Sequence, residues 1–309
     1  MAFAFRLDPF EMALPHLSVC ICTCGRPALL ERLLRDVARQ DAAGQFTFSV
    51  VVTDNDAAQS ARETAERCAR ETGLQILYTV EAERNIAIAR NTVVSHARGD
   101  LIAFIDDDEF PVDGWLLNLF RTLDSTKAAG VLAPVEPHFE KGAPEWVIKG
   151  RFYNRPRHTT GFELNWQECR TGNVLFRRSI LDPNEPPFKR EFRNGGEDQD
   201  FFRRMIERGH RFVWCDEAVA YEVVPPSRWN RKVMLSRALL RGKNSLRHKR
   251  GRLQNLVKSG IAVPAYALAL PILFVAGHHY FMRYLIKLAD HTGRLLAVVG
   301  LNPISERRT

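Results

Sequence analysis

Two spacings of apolar residues alternate through the first hundred residues. Residues 17–23 (LSVCICT), 46–54 (FTFSVVVTD), 74–80 (LQILYTV) and 101–106 (LIAFID) are short, nearly continuous apolar runs. Runs of this length, rich in Val, Ile and Phe, predict buried strands. Between them the spacing lengthens to three and four. In residues 27–40 (PALLERLLRDVARQ), Leu29, Leu30, Leu33, Leu34 and Val37 share one helical face, and Pro27 suits a first helical position. Residues 58–73 predict a helix stopped by Gly73, and residues 86–99 one closed by Gly99. A further helix is expected over 113–123 (DGWLLNLFRTL). Strand–helix repetition with apolar strands predicts an α/β fold, a mainly parallel sheet covered on both faces.

The second half is less regular. Residues 137–163 are loop-rich and aromatic, and residues 169–181 (CRTGNVLFRRSIL) predict a strand entering a short helix. Residues 182–196 read as a mobile loop by composition. In residues 197–209 (EDQDFFRRMIERG), Phe201, Phe202, Met205 and Ile206 recur at helical spacing, with Gly209 as the stop. Residues 211–224 predict two short strands, and a basic helical region begins at Ser227. Residues 261–277 carry no charge, contain Pro264 and Pro271, and are marginally short for a full membrane span. An amphipathic, basic segment follows. This tail predicts either a membrane-facing hairpin, an interfacial helix beside anionic lipid, or a packed helical pair.

In a parallel sheet, ligands gather outside the carboxyl ends of the strands. Three polar clusters fall there: residues 23–26; Asp54, Asn55 and Asp56; and Asp106, Asp107 and Asp108. With Glu109, the last cluster sets four carboxylates in a row, a conflict that a divalent cation would remove. Neither GxGxxG nor GxxxxGK[ST] is present, so neither a dinucleotide fingerprint nor a P-loop explains these clusters. The 309-residue chain has a formal charge of +8, with most of the surplus beyond Arg203, including the terminal ERRT. That implies an anionic partner, nucleotide phosphate or membrane surface. The basic residues match no nucleic-acid-binding module, so no nucleic acid is expected. Cys20, Cys22 and Cys24 alternate on one strand face without CxxC spacing, which suits thiols in a reduced compartment better than zinc. The first sixteen residues show no secretory signal pattern.

The segments VCICTCGRPALLERLL, VVVTDND, NIAIARN, LIAFIDDDEFP, GNVLFRR and GGEDQDFFRRM occur in that order. Together they resemble the family 2 glycosyltransferases of GT-A fold, and more narrowly their bacterial exopolysaccharide branch. The resemblance implies a catalytic domain over 16–245, its nucleotide-sugar half at 16–130 and its acceptor half at 131–245, before a basic and apolar helical tail at 246–309. It implies inverting transfer of a sugar, glucose by the branch, from a UDP-sugar. The acceptor would be a polyprenyl-diphosphate-linked oligosaccharide at the cytoplasmic face of the inner membrane, and Mg²⁺ or Mn²⁺ would assist.

Carried onto this chain, Asp106 and Asp108 match the DxD pair, Asp106 near ribose or metal and Asp108 as metal ligand, with Asp107 facing away. Asp54 matches the acid that contacts base or ribose. Because TDNDA departs from the usual run, Asp56 stays an alternative. Thr23 and Arg26 match the first nucleotide loop. Asn85 and Arg90 match a nucleotide-side segment, though Arg90 would equally brace the acidic cluster. Gly172 and Asn173 match a motif between donor and acceptor. Asp198 matches the catalytic base and Glu197 a residue orienting the acceptor or a neighbour. Asp200 competes with Asp198, and all three acids would also suit a helix N-terminus for its dipole alone. Arg237 and Arg241 are expected on the diphosphate or, alternatively, on lipid headgroups. Trp146, Trp166 and Trp229 would suit sugar stacking or, more plainly, core packing. A sugar-phosphate nucleotidyltransferase would use the same ligands, but it usually carries a Gly-rich basic loop, and CTCGRP has one glycine.

Overall fold

The computed structural model describes residues 13–140, 142–192, 195–245 and 252–301. Most of the N-terminal stretch without a signal pattern, the basic residues 246–251 and the terminal ERRT lie outside the described residues. So do residues 193 and 194 of the loop expected to be mobile.

In chain order the strands are β1 (His16–Thr23), β2 (Thr47–Asp54), β3 (Ile76–Val80), β4 (Leu101–Phe104), β5 (Glu109–Pro111), β6 (Gly130–Leu132), β7 (Val135–His138), β8 (Val174–Arg177), β9 (Phe212–Trp214) and β10 (Ala220–Val223). The helices are α1 (Pro27–Ala38), α2 (Arg62–Thr72), α3 (Ile86–His96), α4 (Trp115–Thr126), α5 (Glu145–Gly150), α6 (Glu197–Glu207), α7 (Arg231–Asn244), α8 (Arg252–Ala276) and α9 (His278–Val298). The chain forms two compact units. One takes residues up to Glu136 with Arg155–Glu222, and the other takes Pro137–Asn154 with the chain from Val223.

The first unit is built on a seven-stranded sheet in the order β3-β2-β1-β4-β8-β6-β9. The first four are parallel neighbours, and β8 runs antiparallel to both β4 and β6. The register sets Thr23 of β1 beside Asp54 of β2, so two of the polar clusters emerge side by side. Strand alternation divides the core. Leu17, Val19 and Ile21 pack with Leu30, Leu33 and Val37 of α1 and Trp115 of α4. Cys20, Ile102 and Phe104 face the other way, onto Phe188 and the α6 side chains Phe201 and Phe202. The phenylalanines interlock, Phe188 with Phe201 at 5.1 Å and Phe202 with Phe212 at 5.1 Å between ring centroids. That packing fixes α6, which carries the Glu197–Asp198 pair, against the sheet.

Helix α3 ends at His96, short of the expected Gly99. The reason is local: the Ser18 hydroxyl accepts from the amides of Arg98 and Gly99 at 3.0 and 3.1 Å and turns the chain into β4.

The second unit is helical. Helix α7, which precedes the tail expected over 246–309, packs closely against α9. A Cβ added at Gly242 would lie 1.9 Å from the Asp290 carbonyl oxygen, and one at Gly293 2.2 Å from that of Leu239. Only glycine permits this approach. Helix α5 joins through Arg283, which donates to the Gly150 carbonyl at 2.9 Å. Trp146 packs edge-on to Phe152 and His278, and Trp229 tilts against Phe139.

Candidate functional site

All the expected site residues except Arg237 and Arg241 lie in the first unit. The acidic run leaves β4 and turns at once, with the Glu109 amide donating to the Asp106 carbonyl at 3.0 Å. The turn sorts the four carboxylates into different surroundings. The Asp106 side chain is 47% exposed. Asp107, expected to face away, instead points back into the end of β1. It accepts from the Thr23 hydroxyl at 2.8 Å and from Arg26 Nη1 at 2.9 Å. The same Arg26 nitrogen lies 3.2 Å from Asp108. Thr23 and Arg26 therefore organise the acidic turn directly.

Burial pushes the Asp108 carboxyl up to about 6, and the neighbouring charges of Asp106, Glu222 and Asp107 add to it. Glu109 is buried and pushed well above the usual carboxylate range, first by burial and then by Asp106. Burial also raises Asp107, against the pull of Arg26. Negative charge is thus crowded at the tip of β4 beyond what the nearby arginines relieve. Asp106 and Asp108 are hard oxygen donors there. Among the described residues no three metal-ligating side chains converge. Two carboxylates nevertheless suit an ion such as Mg²⁺, which takes its remaining ligands from phosphate and water. Gly172 closes this corner: a Cβ there would lie 2.6 Å from Glu109 Oε1 and 3.2 Å from Asp106 Oδ2.

At the end of β2, Asp54 is fully buried. Its Oδ2 accepts from the Ala61 amide at 2.9 Å and from the Tyr78 hydroxyl at 2.8 Å. Its Oδ1 is buried without a partner. A buried carboxylate oxygen left unpaired is costly, and a donor from a ligand would relieve it. Asp56 is tied locally, accepting from the Ala58 amide at 3.1 Å.

Asn55, which belongs to the polar cluster after β2 but matches no assigned role in the sequence, knits the three strand ends together. Its amide donates to the Thr23 carbonyl at 2.7 Å. Its side chain donates to the carbonyls of Glu81 and Glu83 and accepts from the Asn85 amide. The signal was a polar side chain between two acids just after a strand. Asn85, expected to face the nucleotide, caps α3 by accepting from the Ala87 amide at 3.0 Å and donates to the Arg190 carbonyl at 3.1 Å. Being buried and engaged on both sides, it supports the site from behind. Asn173, expected to line the acceptor side, is likewise fully buried. It accepts from Trp115 Nε1 at 2.7 Å and donates to the carbonyls of Pro134 and Ala218, each at 2.8 Å. No polar atom of its side chain is left for a ligand, because its geometry is that of a scaffold.

Arg90 projects from α3 between the acidic turn and α6. It pairs with Glu197 and lies 3.5 Å from Asp106 Oδ1. These are the contacts that bracing the acidic cluster requires. Glu197 Oε2 is buried without a partner, and burial raises the Glu197 carboxyl against the pull of Arg90. Asp198 follows at the half-buried start of α6, its Oδ1 accepting from the Gln199 amide at 2.7 Å. Asp200 is held by Arg203 at 2.9 Å and Arg204 at 2.8 Å. Among the described residues no cation pairs with Asp198, so of the two aspartates it is the one available to a ligand.

Arg237 and Arg241 lie on α7 in the second unit, where Arg241 pairs with Asp290 at 2.9 Å. Trp166 packs against the phenylalanine core.

Residues 18–183 match the sequence profile described as "Glycosyl transferase family 2". The chain is 32% identical to the succinoglycan biosynthesis protein ExoM of Rhizobium meliloti (strain 1021), over 94% of this chain and 95% of that protein. It is 24% identical to the glycosyltransferase AglE of Haloferax volcanii, over 69% and 68% of the two chains. Among solved structures, it superposes on the mannosyltransferase PcManGT from Pyrobaculum calidifontis, in complex with GDP-Man and Mn²⁺, with a TM-score of 0.63 and 18% identity. That match covers 96% of this chain and 90% of the other. It also superposes on S. aureus TarS in complex with UDP, with a TM-score of 0.54, 17% identity and coverage of 94% and 93%. The fold is thus the GT-A fold.

Proposed function

Because the chain belongs to glycosyltransferase family 2, we propose that it transfers glucose from a UDP-sugar, with inversion, to a polyprenyl-diphosphate-linked oligosaccharide in exopolysaccharide assembly. The place of reaction is the cytoplasmic face of the inner membrane. Similarity to ExoM along almost the whole chain supports the pathway class. The observation that carries the chemistry is the continuous set of contacts from Thr23 through Asp107, then from Asp106 through Arg90 to Glu197, which ends beside Asp198.

In this reading the bare Oδ1 of Asp54 accepts a proton donor of the base or ribose. Asp106 and Asp108 hold Mg²⁺ or Mn²⁺, in keeping with the Mn²⁺ in the PcManGT complex. Such an ion, when bound, offsets the negative charge that grows on the departing diphosphate. Asp198 takes the proton of the acceptor hydroxyl as that oxygen attacks the anomeric carbon from the side opposite the leaving UDP. Arg90 holds Glu197, and with it the first turn of α6, in register with the acidic turn. Helix α8 is long and apolar enough to cross a membrane and is almost wholly unburied, which supports a membrane location.

The test is thermal stabilisation by UDP with Mn²⁺, followed by transfer from a panel of radiolabelled nucleotide sugars to lipid extracts. UDP should raise the melting temperature, and Asp108→Ala should abolish the Mn²⁺-dependent part. Absence of stabilisation by any nucleoside diphosphate would refute the reading.

A further inference from the structure

Helix α8 presents a long apolar face that no described residue of its own unit covers. Leu268, Ile272 and Val275 expose 79, 74 and 87% of their surface, and Ile261 and Leu253 continue the same stripe. The opposite stripe packs along α9 for its full length. Phe274 meets Phe281 at 5.4 Å, Tyr266 meets Tyr284 at 5.4 Å, and Ser259 Oγ lies 3.0 Å from His291 Nδ1. The two helices therefore form an antiparallel pair turning at Gly277.

By length alone α8 would span a bilayer. Its partner excludes that placement. Any span by α8 would draw α9 in beside it, with Arg283, Lys287, Asp290 and Arg294 at hydrocarbon depth. Charges there are costly and call for partners inside a bundle. Here the partners are on the other side: Asp290 pairs with Arg241 of α7, and Arg283 bonds the carbonyl at the end of α5. Spanning would immerse α7 too, since α7 and α9 touch backbone to backbone at Gly242 and Gly293. Helix α7 is strongly basic. Between Glu222 and Asp290 the sequence contains no acidic residue and thirteen lysines and arginines. That charge is complementary to anionic headgroups.

We propose that α8 lies in the plane of an anionic bilayer, its Leu268–Ile272–Val275 face sunk to the acyl boundary, while α9 and α7 stay on the aqueous side. The anchor is monotopic. This placement rests on the membrane location in the reading above and specifies how the chain meets the lipid.

The test uses the full chain. Wild type should float with phosphatidylcholine–phosphatidylglycerol vesicles and much less with phosphatidylcholine alone. Leu268→Glu with Ile272→Glu should weaken flotation by about tenfold or more, because charge replaces two apolar side chains that would enter the bilayer. Both side chains are exposed, so the variant should keep its melting temperature. A His279→Cys variant, at the helix turn, should react with a membrane-impermeant maleimide only after spheroplasts are lysed. Labelling of intact spheroplasts would show that α8 spans and overturn the proposal. So would a wild type that fails to float, or a double variant that floats undiminished. Stabilisation by UDP with Mn²⁺, read on the same samples, reports on the catalytic reading separately.

Discussion

Arg90 and Glu197, 107 residues apart in sequence, form a buried ion pair that ties α3 to the first turn of α6. Because both side chains are buried, the pair is worth more as a constraint than as a source of stability. Removing one partner strands the other charge. Arg90→Gln should therefore lower stability by about 3–5 kcal/mol, read by urea or thermal unfolding. Arg90→Met combined with Glu197→Leu should recover much of that loss, yet leave transfer impaired, since nothing then aligns Asp198 with Asp106. An Arg90→Gln protein as stable as wild type would remove the basis of this argument.

Asp198 and Asp200 sit two residues apart on α6 and should separate cleanly by experiment. The Asp200 carboxyl is held below the usual range: burial pushes it up, but hydrogen bonds from Arg204 and Arg203 outweigh that. A depressed folded value means stability that is present above the unfolded value and is lost as the pH falls through the folded one. Asp200→Asn should thus cost about 1–3 kcal/mol at neutral pH. The gap from wild type should close as the pH drops below about 4. Asp198→Asn should unfold like wild type and still bind donor, but transfer should fall by about a hundred- to ten-thousand-fold. Near-normal transfer by Asp198→Asn would place the base elsewhere.

Gly172 offers a test of the acidic corner that leaves every carboxylate in place. An alanine methyl would press on Glu109 Oε1 and crowd Asp106 Oδ2. Glu109 is buried, so its side chain has little room to retreat. Gly172→Ala should destabilise the free protein by about 1–3 kcal/mol and displace Asp106. Its main effect should be weaker Mn²⁺-dependent nucleotide binding in calorimetry, with metal-independent binding less affected. Equal loss of both would mean that the methyl disturbs the site as a whole.

Strands β1 to β4, helices α1 to α4 and α6, and the sheet edge that bears the site were legible in the chain because they rest on local periodicity, whereas the short β5, β6, β7 and α5 carry too few residues to show one. The direction of β8 was not. Three apolar residues, Val174, Leu175 and Phe176, report burial without orientation, and only the pairing with β4 and β6 sets the strand antiparallel. The acidic run was legible as chemistry, but its division of labour was not. Asp107 turns inward because Thr23 and Arg26, more than eighty residues earlier, are waiting at the end of β1. Asn85 and Asn173 were recognisable as polar residues within motifs, and a motif does not say whether an amide faces a ligand or braces the backbone behind it. The three-dimensional hydrogen bonds decide that. The role of Asn55, though not its place in the cluster, was hidden for the same reason: its partners are backbone carbonyls and an amide, which nearly every residue has.

Asn173 gives the sharpest consequence of that distinction. It adopts a left-handed backbone conformation with φ of 55°, which non-glycine residues rarely hold. Its side chain satisfies Trp115 Nε1 and two backbone carbonyls in a site closed to water. Asn173→Ala would leave Trp115 Nε1 and the Ala218 carbonyl without this partner, at about 1–3 kcal/mol each, while the Pro134 carbonyl would keep the Ala220 amide. The melting temperature should therefore fall steeply, by more than for any single change at Asp54 or Asp198. Asn173→Gly should relieve the backbone but not the stranded groups, so it should recover only part of the loss. If Asn173 touched the acceptor instead, Asn173→Ala would raise the acceptor KM and leave the melting temperature near wild type. Thermal unfolding and acceptor titration on one preparation of each variant distinguish the two outcomes.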